Sequence, residues 1–186
     1  MLFRSFALTV RPRDLVLCRN NAPMVAEVFS LLKRGISATI RGRDIGNELV
    51  NLIAKMKANS LPELGIALDA YKQRKTGQLL ARGKELAAEA VTDQIDTILA
   101  IAEEASDIPG LVGQIERLFS DEAKEQAVQF STVHRAKGLE ADTVFILRPD
   151  LMPSKKATSD EDVQQEQNIM FVAYTRATTN MYIIAP

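Results

Sequence analysis

Two stretches in which short apolar runs alternate with amphipathic helical patterns bracket a long middle whose periodicity is helical throughout. That layout constrains the fold more than any single residue does. The first stretch begins with Leu15-Val16-Leu17-Cys18, an apolar run emptying into polar Arg19-Asn20-Asn21, as a buried strand does on entering a loop. A helix should follow, with Asn21 as a cap near its start, Pro23 in its first turn, Val25, Val28, Phe29 and Leu32 on one face, and Gly35 stopping it. Ser37-Ala38-Thr39-Ile40 reads as a second strand ending at Arg41-Gly42-Arg43. From Asp44 to Gln126 the apolar spacing (Leu49, Ile53, Met56; Leu86, Val91, Ile95, Ile98, Leu99) is that of helices, punctuated by Pro62, Gly77 and Pro109-Gly110. The rhythm then returns with strands expected at Val128–Val133, Thr143–Leu147 and Met181–Ile184, a turn at Gly138, and a helix from about Val163 to Tyr174. Buried apolar strands alternating with helices imply an α/β fold with a mostly parallel sheet covered on both faces. The chain divides into residues 1–43 and 127–186 as the α/β part and residues 44–126 as a helical insertion. Ligands of such sheets lie beyond the carboxyl ends of the strands, where Arg19 and His134 fall.

Composition removes several classes of function. One cysteine, Cys18, excludes an internal disulfide, and one histidine, His134, leaves no cluster with the spacing of a structural metal site. No apolar run is long enough to cross a bilayer. The opening MLFRSFALTVRPRD has the basic start of an export signal, but its apolar part is short and no small-residue cleavage site follows, so the chain reads as cytoplasmic. A net charge of −1 argues against coating nucleic acid by bulk electrostatics; any such contact must be local. Basic residues cluster at Lys33-Arg34 through Arg41 and Arg43, and at Arg135 with Lys137.

Three segments at the ends of these elements carry the chemistry: Val16-Leu17-Cys18-Arg19-Asn20-Asn21, the run from Ser131 to Glu140 (STVHRAKGLE), and the run from Glu166 to Ala177 (EQNIMFVAYTRA). In order and residue type they resemble motifs IV, V and VI of the UvrD/Rep-type superfamily 1 DNA helicases. The resemblance covers most of residues 14–43 and 127–186 and says little about the helical middle. It implies the second RecA-like domain of such a helicase, a three-layer fold with a helical insertion. It also implies ATP with Mg²⁺ bound jointly with a first RecA-like domain, in cis or in trans, and single-stranded or partly duplex DNA as partner.

The resemblance assigns Arg176 the part of an arginine finger on the γ-phosphate and Arg19 a second phosphate contact. Glu140, after the turn at Gly138, matches the ribose contact, Cys18 lies beside the base, and Thr132 and His134 match residues on the sugar-phosphate backbone of single-stranded DNA. Physical reasoning supports the first of these independently. Arg176 continues the helical row Ile169, Val172, Ala173, an expensive place for a charge unless an anion awaits it, and a guanidinium is suited to clamp phosphate. The alternatives are a local ion pair for Arg176 and a solvated surface position for Glu140. Two residues depart from the family pattern: Cys18 stands where relatives place an aromatic that packs on adenine, and Gln167-Asn168 stand where many have two arginines. The Walker A loop and the Mg²⁺-holding acid are missing: Gly83-Lys84 is followed by Glu85 on a helical stretch, and Asp121-Glu122 and Asp160-Glu161 lie in polar segments. The chain should therefore supply half of an ATP-hydrolysing machine and be inactive alone, or else be a stand-alone remnant that binds DNA or a protein without catalysis.

Overall fold

The computed structural model describes residues 10–119 and 126–184. Residues 1–9, where the export-signal question arises, and Asp121-Glu122 lie outside them. The first element is strand β1, Leu15–Cys18, followed by helix α1, Ala22–Lys33, and strand β2, Ala38–Ile40. Four helices come next: α2 (Arg43–Met56), α3 (Leu61–Leu80), α4 (Glu85–Ala102) and α5 (Ile108–Leu118). Strands β3 (Val128–Thr132) and β4 (Ala141–Leu147), helix α6 (Asp160–Tyr174) and strand β5 (Ala177–Ile184) complete the order. The five strands form one sheet in the order β2-β3-β1-β4-β5, and every pairing is parallel. The α/β fold with a parallel sheet is thus as the sequence implies.

Side chains of a strand alternate between faces, and the two apolar clusters divide accordingly. Val16, Cys18, Val128, Phe130, Phe145 and Leu147 join the cluster shared with α1 and the helices α2–α5. Leu15, Leu17, Val144 and Ile146 face the other way, against Ile169 and Ala173 of α6. The result is three layers. The helices of the middle stretch share one core with the sheet and α1, and a parallel bridge from Phe119 to Ile40 returns the chain to the edge of β2.

Local chemistry sets the starts of three helices. Ser60 accepts from the Glu63 amide at 3.4 Å and Pro62 sits in the first turn of α3; Asp107 accepts from the Gly110 amide at 2.7 Å at the start of α5. Helix α6 begins at Asp160, earlier than Val163, because Ser159 caps the Asp162 amide at 3.1 Å and Asp160, Glu161 and Asp162 complement the helix dipole. Gly77 lies within α3 rather than ending it, and Gly83, with φ of 65°, turns the chain between α3 and α4.

The start of α1 differs from expectation. Asn21 makes no capping bond with its side chain. The Asp93 carboxylate of α4 accepts instead from the backbone amides of Asn21 and Ala22, each at 2.9 Å, and from Asn21 Nδ2 at 3.1 Å. A carboxylate at a helix N-terminus satisfies orphan amides and meets the positive end of the dipole. The inward face of α1 is Met24, Val25, Val28 and Leu31, whereas Leu32 is 40% exposed.

Candidate nucleic-acid interface and nucleotide-facing edge

Arg19 leaves the carboxyl end of β1 and immediately meets two carboxylates. Its Nε and Nη2 donate to the two oxygens of Glu166 at 2.9 and 2.8 Å, and Nη1 lies 3.2 Å from Glu89 Oε2 of α4. The Arg19 side chain is 8% exposed and that of Glu166 2%. Glu166 Oε2 also accepts from the Ser154 amide at 2.7 Å, and Ser154 Oγ donates to Glu89 at 2.7 Å. Burial alone would raise the Glu166 carboxyl; the Arg19 guanidinium and the Ser154 amide outweigh it and hold the group below the ordinary carboxylate range. This network joins β1, α4, α6 and the loop before α6.

A cavity of about 290 Å³ opens beside it. Arg19, Asn20 and Asn21 line one side, Thr132 and His134 another, and Leu86, Ala90 and Asp93 of α4 a third. Thr132 is the last residue of β3 and His134 lies in the short 3-10 turn Val133–Arg135, so both stand at the carboxyl end of the sheet. Desolvation and the nearby Arg19 charge push the His134 imidazole below its usual range, against a smaller opposing pull from Glu166 and Glu89. Held below that range, the ring is mostly uncharged at pH 7. Asn21 Oδ1, at this cavity, is buried with no hydrogen-bond partner. A larger cavity of about 580 Å³ between α1, β2 and α5 holds none of the residues expected to carry function.

The other expected residues lie elsewhere. Arg176 follows α6, and its guanidinium donates to Val172 O at 3.0 Å, Leu139 O at 3.3 Å and Thr175 Oγ1 at 3.0 Å. All three acceptors are neutral. Ala141 N donates to Arg176 O at 3.2 Å, so the Gly138–Glu140 turn, with φ of 87° at Gly138, runs beside Arg176. Glu140 and Gly138 are exposed. This group stands at the amino ends of β4 and β5. Arg19 follows the carboxyl end of β1, whereas Arg176 precedes the amino end of β5, and β1, β4 and β5 run parallel, so the two arginines stand at opposite ends of the sheet. The structure therefore does not bring Arg19 and Arg176 to one phosphate: it places Arg19 with Thr132 and His134, and Arg176 with Gly138 and Glu140.

Cys18, expected beside a nucleotide base, is fully buried in the apolar cluster on the α1 side of the sheet, and burial pushes its thiol up to about 11. Its side chain meets the core because it shares the face of Val16, two residues earlier. Sequence reasoning missed Glu89 and Asp93, which reach the site from α4; their partners lie some seventy residues away, so no local pattern marks them. From sequence, Asn20 and Asn21 read as the polar end of a strand, a loop residue and a cap.

A model of the UvrD-like helicase C-terminal domain matches residues 43–186. The chain belongs to this family. Among curated proteins it is 25% identical over 146 residues to the ATP-dependent DNA helicase PcrA of Leuconostoc citreum, covering 69% of this chain and 19% of that protein. It is 44% identical over 69 residues to the ATP-dependent DNA helicase PcrA of Staphylococcus aureus (strain COL), covering 34% and 10%. The putative ATP-dependent DNA helicase YjcD of Bacillus subtilis (strain 168) is 28% identical over 106 residues, 51% of this chain and 14% of that protein. The chain thus spans a fifth or less of the length of these relatives. Among the described residues no helix is long and apolar enough to cross a membrane, and no group of three or more His, Cys, Asp or Glu could hold a metal ion.

Proposed function

We propose that this chain is the second RecA-like domain of a cytoplasmic, ATP-dependent DNA helicase, with two working edges at opposite ends of one sheet. At the carboxyl edge, Thr132, His134, Asn21 and the ion-paired Arg19 form part of a single-stranded DNA track. At the amino edge of β4 and β5, Arg176, Glu140 and Gly138 face a nucleotide held mainly by a first RecA-like domain, in cis or in trans. In this reading the helices between β2 and β3 are an insertion in chain order, residues 44–126, that braces the DNA edge through Glu89 and Asp93.

The observation that carries the nucleotide half is the contrast between the two arginines. Arg19 is neutralised by two carboxylates, whereas Arg176 is partly exposed and, among the described residues, bonded only to neutral oxygens. A guanidinium with no carboxylate partner retains its charge for an incoming anion. ATP would supply that anion as its terminal phosphate, with Arg176 offering charge and Glu140 accepting from a ribose hydroxyl. The described residues do not fit Mg²⁺: no acidic cluster faces this edge, and Gly83-Lys84 sits in the α3–α4 turn rather than in a phosphate-cradling loop. The metal and the phosphate cradle belong to the other domain. The isolated chain should accordingly show no ATP hydrolysis. Turnover that purifies with the chain and disappears on changing Arg176 would place the catalytic parts here instead.

A further inference from the structure

The hairpin joining α3 to α4 is strongly basic. Between Tyr71 and Leu86 stand Lys72, Arg74, Lys75, Arg82 and Lys84 against the single acid Glu85, a net +4 in a chain of net −1. Lys72 is engaged by Asp96 at 2.6 Å, and Arg74 lies over the Tyr71 ring. Arg82 and Lys84 are exposed, with no side-chain partner among the described residues, and Leu80 beside them is 53% exposed. The tip stands at the DNA edge: Leu86, two residues past Lys84, lines the cavity with Arg19, Thr132 and His134.

The cavity itself is a poor place for phosphate. Its lining holds one guanidinium with the carboxylates of Glu166 and Asp93, that guanidinium is also paired with Glu89 outside the lining, and the His134 imidazole beside them is held below its usual range. Asn21 Oδ1 is buried at its wall without a hydrogen-bond partner, an acceptor that a donor reaching it, such as a base edge, would satisfy. A strand seated there keeps its phosphates outside the cavity, where they need a separate source of positive charge.

We propose that the α3–α4 hairpin tip, through Arg82 and Lys84, is a backbone-binding surface for the strand whose neighbouring segment occupies the cavity. The proposal rests on the DNA-track reading above and extends it to a part of the chain outside the three motifs. Exposed, unpaired cations beside an acid-lined cavity are arranged to neutralise phosphates without sequence preference.

The test uses the full chain and two oligothymidylates, one long enough to reach from the cavity past the hairpin and one confined to the cavity. In R82E/K84E, affinity for the long oligonucleotide should fall and its salt dependence weaken by a slope of about 1.4, two single-strand phosphates at roughly 0.7 each. Between 50 and 200 mM salt the wild type should therefore lose about sevenfold more affinity than the variant. Binding of the short oligonucleotide should be unchanged. The variant should fold, because acids near the first turn of α4 favour the helix dipole; R82A/K84A, with the same direction and a smaller effect, guards against simple repulsion. An unchanged salt slope in both variants on the long oligonucleotide would overturn the hairpin while leaving the cavity reading intact. Failure of the wild type to bind either oligonucleotide would overturn both.

Discussion

Removing the Arg19 guanidinium tests whether the buried network is an ion pair held out of water. In Arg19→Ala the Glu166 carboxylate, 2% exposed, keeps only the Ser154 amide as a donor, and Glu89 loses the same cation. Breaking a buried pair by deleting one partner costs about 3–5 kcal/mol, because the remaining charge has neither water nor counter-ion. For a domain of this size that corresponds to roughly 6–20 °C in melting temperature. The pH dependence gives the sign. In the wild type the Glu166 carboxyl is held below its ordinary value, so its stabilisation is complete above the unfolded carboxyl range and is lost as pH falls through the folded value. In Arg19→Ala burial raises the same group, so the variant regains stability as pH falls through that raised value toward the unfolded one, and the gap to wild type closes further as the wild type's own stabilisation is lost at lower pH. Urea unfolding of both proteins at pH 7 and pH 4, with R19M/E166Q as a double mutant, reads this out; the double mutant should be more stable at pH 7 than Arg19→Ala. A loss below about 1 kcal/mol that does not change with pH would refute the argument, since that is how a solvated surface pair behaves.

Asp93→Ala should cost about 0.5–2 kcal/mol as the loss of the α1 cap, with the first turn of α1 showing the largest rise in amide exchange. Cys18→Tyr should overpack the core by about 1–3 kcal/mol and leave nucleotide affinity in a two-domain protein unchanged; tighter ATP binding without loss of stability would put this side chain beside the base after all. The Cys18 thiol should resist alkylation at pH 8 in the native protein and react on unfolding, because burial raises it to about 11. His134→Ala should weaken single-stranded DNA binding modestly at pH 7 with little change in salt slope, since the ring is mostly uncharged there.

What the sequence made legible follows from where signals are local. The run Leu15–Cys18 is apolar throughout and bounded by polar residues, and the strand occupies those four positions. Strand β5 starts at Ala177 rather than Met181 because Thr178, Thr179 and Asn180 lie on an exposed edge strand and carry no burial pattern. The three segments resembling helicase motifs fixed which residues to look for. Their grouping is set by the parallel sheet, in which Arg19 follows the carboxyl end of β1 and Arg176 precedes the amino end of β5. Glu89 and Asp93 were invisible for another reason: each is an ordinary helical acid until the fold sets it against Arg19 or the start of α1.

On the proposed function, Arg176, at the amino edge of β4 and β5, lends its charge to a nucleotide completed by another domain. The most direct test is DNA-stimulated ATP hydrolysis by this chain joined to a first RecA-like domain carrying a Walker A loop, with Arg176 intact or changed to alanine. An arginine finger is worth about 10³–10⁵ in rate, so Arg176→Ala should abolish nearly all turnover while melting temperature and single-stranded DNA affinity stay close to wild type. Near-normal turnover in that variant would leave Arg176 only a structural part at the end of α6.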